Sequence, residues 1–354
     1  MKLKKTARTI HNWLGILSAL ILFFVCLSGS LFVYSDNILD HFHKKAILVE
    51  EQGNTISIDR IIQDLKEEYP NHFLISLIDY KEKTKALKFL IASRQTGLCH
   101  VFVNPYNGEI ISESKLISVV SLIAHFHKEL LLGKIGVWIV RITSIIFLIE
   151  LISGLILIVP KNKKKLKNVF TIKKGAPFLR KMFDWHKVLG IYPIAILLLL
   201  SLTGIIIAFS PKYGIEAEHK KNHNKENKYT SVDIETRDPI ALALLLPKYF
   251  NQQDVNEIKV ELWNINTAPY YQITTGEKIG VLTYTGNVHI IDKYTGAEQI
   301  NNTRLHKLNI NNIMRKLHVG DWCGALGKAI TFLGGLAGAV LALTGCIIWW
   351  KKRF

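Results

Sequence analysis

The chain has 354 residues, is 49% hydrophobic and carries a formal net charge of +17. In a soluble protein that charge would point to nucleic acid, but here the cations sit in short stretches beside long apolar runs, a distribution that membrane topology accounts for. The four cysteines, Cys26, Cys99, Cys323 and Cys346, form no CxxC, which excludes iron–sulfur, zinc-ribbon and covalently attached c-type haem ligation.

Lys2, Lys4, Lys5 and Arg8 lead into the first apolar stretch, residues 9–35. This run is far longer than the ~7–15-residue apolar core of a secretory signal, so it is expected to stay as transmembrane helix one. Residues 36–116 follow as an outer domain. Their pattern predicts a helix over 58–68, strands over 73–79, 86–92 and 99–103, and a closing turn at Asn104-Pro105-Tyr106-Asn107-Gly108-Glu109. Residues 117–160 hold an interfacial helix and the second span, which Arg141 and Glu150 interrupt; neither residue is given a role.

A basic loop over 161–184, rich in lysine, marks the cytoplasmic side together with the N-terminus and Lys351-Lys352-Arg353. The third span covers 185–211. A second outer domain over 212–316 repeats the plan of the first, with a helix over 238–250, strands near 257–264, 270–274, 281–284 and 288–291, and a closing Asp292-Lys293-Tyr294-Thr295-Gly296. Its polar opening, 216–228, reads as a tether, and His219 and His223 within it lack the third ligand of a metal site. The last span lies in 317–350. The fold class expected is an integral membrane α-helical protein of four transmembrane helices in two repeated halves, with two small α+β outer domains and both termini cytoplasmic.

The duplication is legible in the histidines. Ile10-His11-Asn12-Trp13-Leu14-Gly15 aligns with Trp185-His186-Lys187-Val188-Leu189-Gly190, and these lead to Ser28-Gly29 and Thr203-Gly204. His127 and His318 are likewise followed, at equal distance, by Ser153-Gly154 and Thr344-Gly345. His125 competes with His127, but only His127 aligns with His318. By topology His11 and His186 lie at the cytoplasmic end and His127 and His318 at the outer end, too far apart across a ~30 Å core to share one iron. The economical arrangement is two bis-histidine haems, His11 with His186 and His127 with His318. Gly15, Gly190, Gly133, Gly136, Gly324 and Gly327 are expected to let a flat ring approach, and Arg8, Arg180, Lys5, Lys128 and Arg315 to neutralise propionates. Interfacial histidines and small-residue helix packing are the plainer reading.

Leu317-His318-Val319-Gly320-Asp321-Trp322, Gly324, Gly327, Leu343-Thr344-Gly345 and Trp349-Trp350-Lys351 resemble the last helix of the PepSY-associated transmembrane family of iron-regulated membrane proteins and siderophore reductases. Ile10 to Gly15, His127 with Leu130-Leu131-Leu132-Gly133, and His186 to Gly190 extend the resemblance over nearly the whole chain. It implies PepSY-like outer domains, two b-type haems in a bacterial inner membrane, and reduction of a ferric siderophore or other iron chelate at the outer face. With no GxGxxG loop opening a helix, an external donor is expected, either a cytoplasmic flavoprotein or a quinol.

The leading expectation is therefore a haem-dependent ferric-siderophore oxidoreductase without its own flavin or NAD domain, surrounded by membrane lipid and free of nucleic acid. Tyr106, Tyr270, Tyr271, Trp263, Arg304 and Trp322 are candidates to contact an anionic chelate. The alternative from another class is a non-redox membrane protein whose outer domains bind a partner such as a peptidase. A transporter is a third possibility, in which four spans per chain would need oligomerisation to form a pathway; the sequence pattern shows no broken helix at mid-membrane.

Overall fold

Long apolar runs of Leu, Ile, Val and Phe leave the backbone little choice but to bond within itself, and they form the longest helices among the described residues. The computed structural model describes residues 2–160, 169–210, 238–282, 286–298 and 310–353. In chain order the first half gives α1 (Lys2–Phe32), α2 (Ser35–His43), α3 (Ile58–Glu68), β1 (Phe73–Tyr80), β2 (Leu87–Ser93), β3 (Gly97–Val103), β4 (Ile110–Ser114), α4 (Leu116–Glu129) and α5 (Gly133–Ile158). The second gives α6 (Phe178–Ile191), α7 (Ile194–Phe209), α8 (Leu242–Phe250), β5 (Glu257–Glu261), β6 (Tyr270–Gly276), β7 (Asn287–Asp292), α9 (Ile310–Val319), a 3-10 turn (Asp321–Cys323) and α10 (Gly324–Arg353). The expected tether and its His219 and His223, and Arg304, lie outside the described residues.

These elements divide into a helical unit of Met1–Tyr34, Ser121–Pro211 and Ile310–Phe354, and a sheet unit of Ser35–Val120 and Lys212–Asn309. In the helical unit α1, α5 and the last helix are each long and apolar enough to cross a membrane. They turn Leu17, Leu20, Ile142, Ile149, Leu333 and Leu343 outward, an apolar exterior that water would penalise and lipid would not. α1 packs between α5 and α10, and α7 lies against α5 and α10. A Cβ built on Gly334 or Gly338 of α10 would stand 3.0–3.7 Å from Ile196, Leu197 and Leu200 of α7 and Cys26 of α1, so the missing side chains let these helices pack closely, as in small-xxx-small interfaces.

The third apolar stretch, read in the sequence as one helix, is a pair: α6 and α7 meet at a 66° bend. Pro193 sits at the break, where its ring and missing N–H do not allow the α6 ladder to continue. Near each return to the bundle, α4 and α9 end in tight turns before α5 and α10. Leu130 and Leu131 take positive φ (51° and 60°), and Gly320 and Gly324 do so at 83° and 51°. Gly136 and Gly327 face the backbone carbonyls of Glu129 and Gly320 so closely that no Cβ fits. Gly133, Gly320 and Gly324 supply the positive φ of these turns, and Gly136 and Gly327 the close backbone approach within them.

In the sheet unit the two outer segments, expected as two domains, share one seven-stranded sheet of order β4-β3-β2-β1-β5-β6-β7. The join is the antiparallel pairing of β1 with β5, where Leu77 stands opposite Val260 and Asp79 opposite Ile258. Pairing removes an exposed edge from each half. It also lets both halves fill one core: Ile61, Ile62 and Leu65 of α3 and Leu242, Leu245 and Leu246 of α8 pack with Leu77, Phe89, Ile258 and Ile273. Asp59 of the first half caps α8 of the second, accepting bonds from the Leu242 and Ala243 amides at 3.0 Å each. β4 and α2 carry weak patterns and were not expected. The strand expected over 281–284 is not formed where it is described: Val281 and Leu282 make a bend whose amides donate to the Asp36 carboxylate of α2 at 2.6 and 3.1 Å.

Against the β2–β3 region lie two buried histidines. His43 and His100 are 6% and 7% exposed, their rings 5.3 Å apart, and His43 Nε2 is 2.8 Å from Ser114 Oγ. Burial, then the Lys88 cation, holds His43 down to about 4, and the same causes with His43 itself push His100 down to about 2. Both are neutral when folded and protonate on unfolding near their ordinary ~6.5, so stability is full above that value and falls as pH drops. Between pH ~6.5 and ~4 each histidine removes up to about 1.4 kcal/mol per pH unit. Hydrogen-exchange protection of the β3 amides, corrected for intrinsic rates, should fall steeply over this window, and a His43→Gln, His100→Gln double variant should lose that dependence.

Candidate functional site

Each apolar helix bundle face that carries a Ser-Gly or Thr-Gly dipeptide receives a histidine from a neighbouring helix. His11 of α1 lies on Gly154 of α5, His186 of α6 on Gly345 of α10, His127 of α4 on Gly29 of α1, and His318 of α9 on Gly204 of α7. A Cβ built on these glycines would stand 3.2, 3.4, 2.6 and 3.0 Å from the respective ring Cε1 atoms. The glycine therefore makes the room that the imidazole occupies.

The residues before the glycine hold the ring nitrogen. His11 Nδ1 is 3.1 Å from Ser153 Oγ, His186 Nδ1 is 2.9 Å from Thr344 Oγ1 and His318 Nδ1 is 3.0 Å from Thr203 Oγ1. Thr344 and Thr203 already donate their own protons to Val340 and Leu199 carbonyls at 2.7 Å, and Ser153 donates to the Glu150 carbonyl at 3.1 Å. Those hydroxyls can only accept from the imidazole. His127 Nδ1 is 2.9 Å from the Val25 carbonyl, which can accept and nothing else. An Nδ1–H on each ring satisfies these contacts, and an imidazole in that tautomer carries its lone pair on Nε2, the atom it offers to a metal.

The four cradled rings form two facing pairs. The His11 and His186 centroids are 6.1 Å apart with planes at 76°, and those of His127 and His318 are 6.4 Å apart at 42°. His11 and Gly29, where His127 sits, are 18 residues apart on α1, about 27 Å at ~1.5 Å rise per residue. The first pair lines a cavity of about 760 Å³, together with Arg8, Gly15, Glu150, Gly190 and Lys187. That volume lies within the ~300–1,000 Å³ common for ligand sites. Among the described residues no three His, Cys, Asp or Glu side chains converge on one point, so each site offers two protein ligands.

His125 points elsewhere and bonds Glu129 Oε1 at 2.5 Å, 60% exposed. Arg141 and Glu150, whose pairing the sequence left open, do not meet: Arg141 donates to the Ala208 carbonyl at 2.8 Å between the Trp138 and Phe209 rings. Glu150 Oε2 lies 2.8 Å from His11 Nδ1, a contact that sequence reasoning missed. Of the proposed propionate partners, Arg180 is engaged by Asp184 at 3.3 Å, while Arg8 lines the cavity. Lys187, which also lines it, binds Asp184 at 2.9 Å. Among the residues expected to meet a chelate, Tyr106 and Tyr271 are buried and bond the Lys83 and Ile240 carbonyls, so they serve packing; Trp263 and Trp322 are exposed.

Membrane-length apolar helices, with two histidine pairs set between helices of their unit, and a separate unit built on an antiparallel sheet define the class as a membrane protein. The chain belongs to the PepSY-associated TM region family, whose model matches residues 8–352. No curated protein matches it.

The cradles predict a graded response to alanine. Gly29→Ala drives a methyl into the His127 ring and should cost about 1–3 kcal/mol. Gly345→Ala meets His186 at ordinary contact distance and gains up to ~1 kcal/mol of helix propensity. Thermal unfolding in detergent should therefore show a lowered Tm for the first variant and an unchanged or raised Tm for the second.

Proposed function

We propose that the chain is an inner-membrane di-haem reductase that carries electrons from the cytoplasmic side to a ferric chelate, such as a siderophore, at the outer face. The observation that carries this reading is the pair of facing imidazoles, each tethered at Nδ1. Two Nε2 atoms bound to one iron at the ~2.0–2.1 Å of a metal–imidazole bond place the ring centroids about 6 Å apart, and the observed separations are 6.1 and 6.4 Å. Among the described residues no third His, Cys, Asp or Glu joins either pair, and two imidazoles suit an iron whose remaining positions come from a macrocycle. His11 and His186 would hold one b-type haem, His127 and His318 the other.

In this reading four spans run with both termini cytoplasmic, the α6–α7 pair counting as one, and the basic stretches at 2–8, 161–181 and 351–353 stay inside. Haem supplies a reversible one-electron Fe(III)/Fe(II) couple at each site. The chain's residues do the rest. Ser153, Thr344, Thr203 and the Val25 carbonyl keep each Nδ1 protonated and each Nε2 available, and the glycines fix ring position. Leu22, Leu151, Ile194 and Leu341 line the first cavity and exclude water around it. Arg8 stands at the same cavity to meet an acidic edge of the ligand. An external flavoprotein or quinol supplies the electron, and one-electron reduction of the chelate gives Fe(II), which oxygen donors hold less tightly.

The reading predicts two b haems per chain in detergent-purified protein, by pyridine haemochrome and reduced-minus-oxidised spectra after haem-replete expression. His11→Ala and His127→Ala should each remove one. Protein with no Soret band would end this reading and turn attention to partners of the sheet unit, such as a peptidase.

A further inference from the structure

The four cradles share one pattern, and one member breaks it. The residue three positions before each hydroxyl is Val25, Leu200 and Leu341 in three of them and Glu150 in the fourth. The environments otherwise correspond: a Cβ built on Gly190 would stand 3.7 Å from Leu341 Cδ2, and one built on Gly15 would stand 3.1 Å from Glu150 Oε2. Val25 uses its carbonyl for His127, while His318 and His186 bond the hydroxyls of Thr203 and Thr344. Only at His11 does a carboxylate join, with Oε2 at 2.8 Å, nearer than Ser153 Oγ at 3.1 Å. Glu150 is 8% exposed, and its Oε1 has no hydrogen-bond partner. A carboxyl side chain in an apolar helix facing the bundle interior is costly to keep and is a functional residue by default.

We propose that Glu150 is a positioning residue that holds the His11–His186 site at a lower reduction potential than the His127–His318 site. This deepens the di-haem reading and rests on it. An Nδ1–H bonded to a carboxylate makes the imidazole a stronger donor through Nε2, and a nearby negative charge favours the more highly charged ferric state. At the other site the Nδ1 partners are neutral, the Val25 carbonyl and Thr203 Oγ1. With haem at both sites, a one-electron Fe(II)/Fe(III) exchange would favour the oxidised state at the His11–His186 pair and the reduced state at the His127–His318 pair. Transfer runs downhill from the His11 end of α1 toward its Gly29 end.

The neighbouring charges do not cancel this ordering. Lys187 at the first cavity is offset by Asp184 at 2.9 Å. Arg8 lines the cavity but is exposed, where water and salt screen it, whereas Glu150 touches the ligand ring in a buried setting. Next to His127, the Lys128 cation acts in the same direction as Glu150 by raising the potential of the second site.

Anaerobic spectropotentiometry on the purified full chain tests the ordering. Wild type should titrate in two waves, with His11→Ala removing the lower one and His127→Ala the upper one. Glu150→Gln, which keeps shape and an acceptor oxygen but loses the charge, should move the lower wave up and leave the upper in place; Glu150→Asp should keep it nearer the wild-type value. A lower wave that belongs to the His127–His318 site overturns the proposal, whatever the variants do. So does a Glu150→Gln titration with neither wave moved or both moved alike. Loss of haem from the Glu150 variants leaves the wild-type ordering as the deciding result, and absence of haem from wild type fails the di-haem reading itself.

Discussion

The helical unit is organised by the need to hold an imidazole still inside an apolar bundle. A neutral histidine there brings one N–H donor that cannot be left unsatisfied, at a cost of about 1–3 kcal/mol. A helix backbone has no spare donor or acceptor for it except where a side chain or a bent ladder frees one. The cradle answers this with two adjacent residues. In three cradles the hydroxyl bonds its own helix's carbonyl and still accepts from Nδ1, at His127 the Val25 carbonyl takes that place, and in all four the glycine removes the Cβ that would strike the ring. The local demand dictates helix spacing: α1 must come close to both α5 and α4, and α10 to α6, because the ring and the glycine belong to different helices. Packing, tautomer and ligand geometry are consequences of one contact repeated four times.

Repetition explains why the duplicated halves are interdependent. His11 finds its cradle on α5, in its own half, and His127 finds one on α1; His186 and His318 repeat this on α10 and α7. Each facing pair nevertheless takes one histidine from each half, so neither half completes a site alone. The sheet unit follows the same logic by other means. β1 and β5 would each be an edge in a separated half, and the shared core joins α3 and α8 over them. The carboxylate of Asp59 satisfies two orphan amides at the start of α8, a helix of the other half.

Much of this was legible in the chain because hydrophobic length and period are local signals. α3 begins and ends where the pattern of Ile58, Ile61, Ile62 and Leu65 places it, and β1, β2 and β3 fall within a residue or two of expectation. The aligned dipeptides identified His127 over His125, and the structure sets His127 opposite His318. What the sequence could not supply is which helix faces which. Ser153-Gly154 and its three counterparts served as alignment marks, although they are the seats of the histidines. β4, with a short and mostly half-buried Ile110–Ser114, has too weak an alternation to read, and the merger of two outer segments depends on a β1–β5 pairing that no local pattern encodes. Pro193 was visible and its consequence, the α6–α7 bend, follows from elementary backbone chemistry; the apolar run around it masked the break.

A symmetric scaffold by itself has no direction. Two equal bis-histidine sites on a duplicated frame would exchange an electron with equal ease either way, and net flow would depend wholly on donor and acceptor. In the proposed di-haem reading, a direction built into the chain itself would require a residue that breaks the repeat at one site and touches a ring. Glu150 meets both conditions, standing where Val25, Leu200 and Leu341 stand in the other cradles. The same low dielectric that makes a lone carboxyl expensive in a helix bundle magnifies its effect on a neighbouring charge. That cost is the physical reason to regard the single acidic substitution in a fourfold pattern as the place where the fold's symmetry is turned to use.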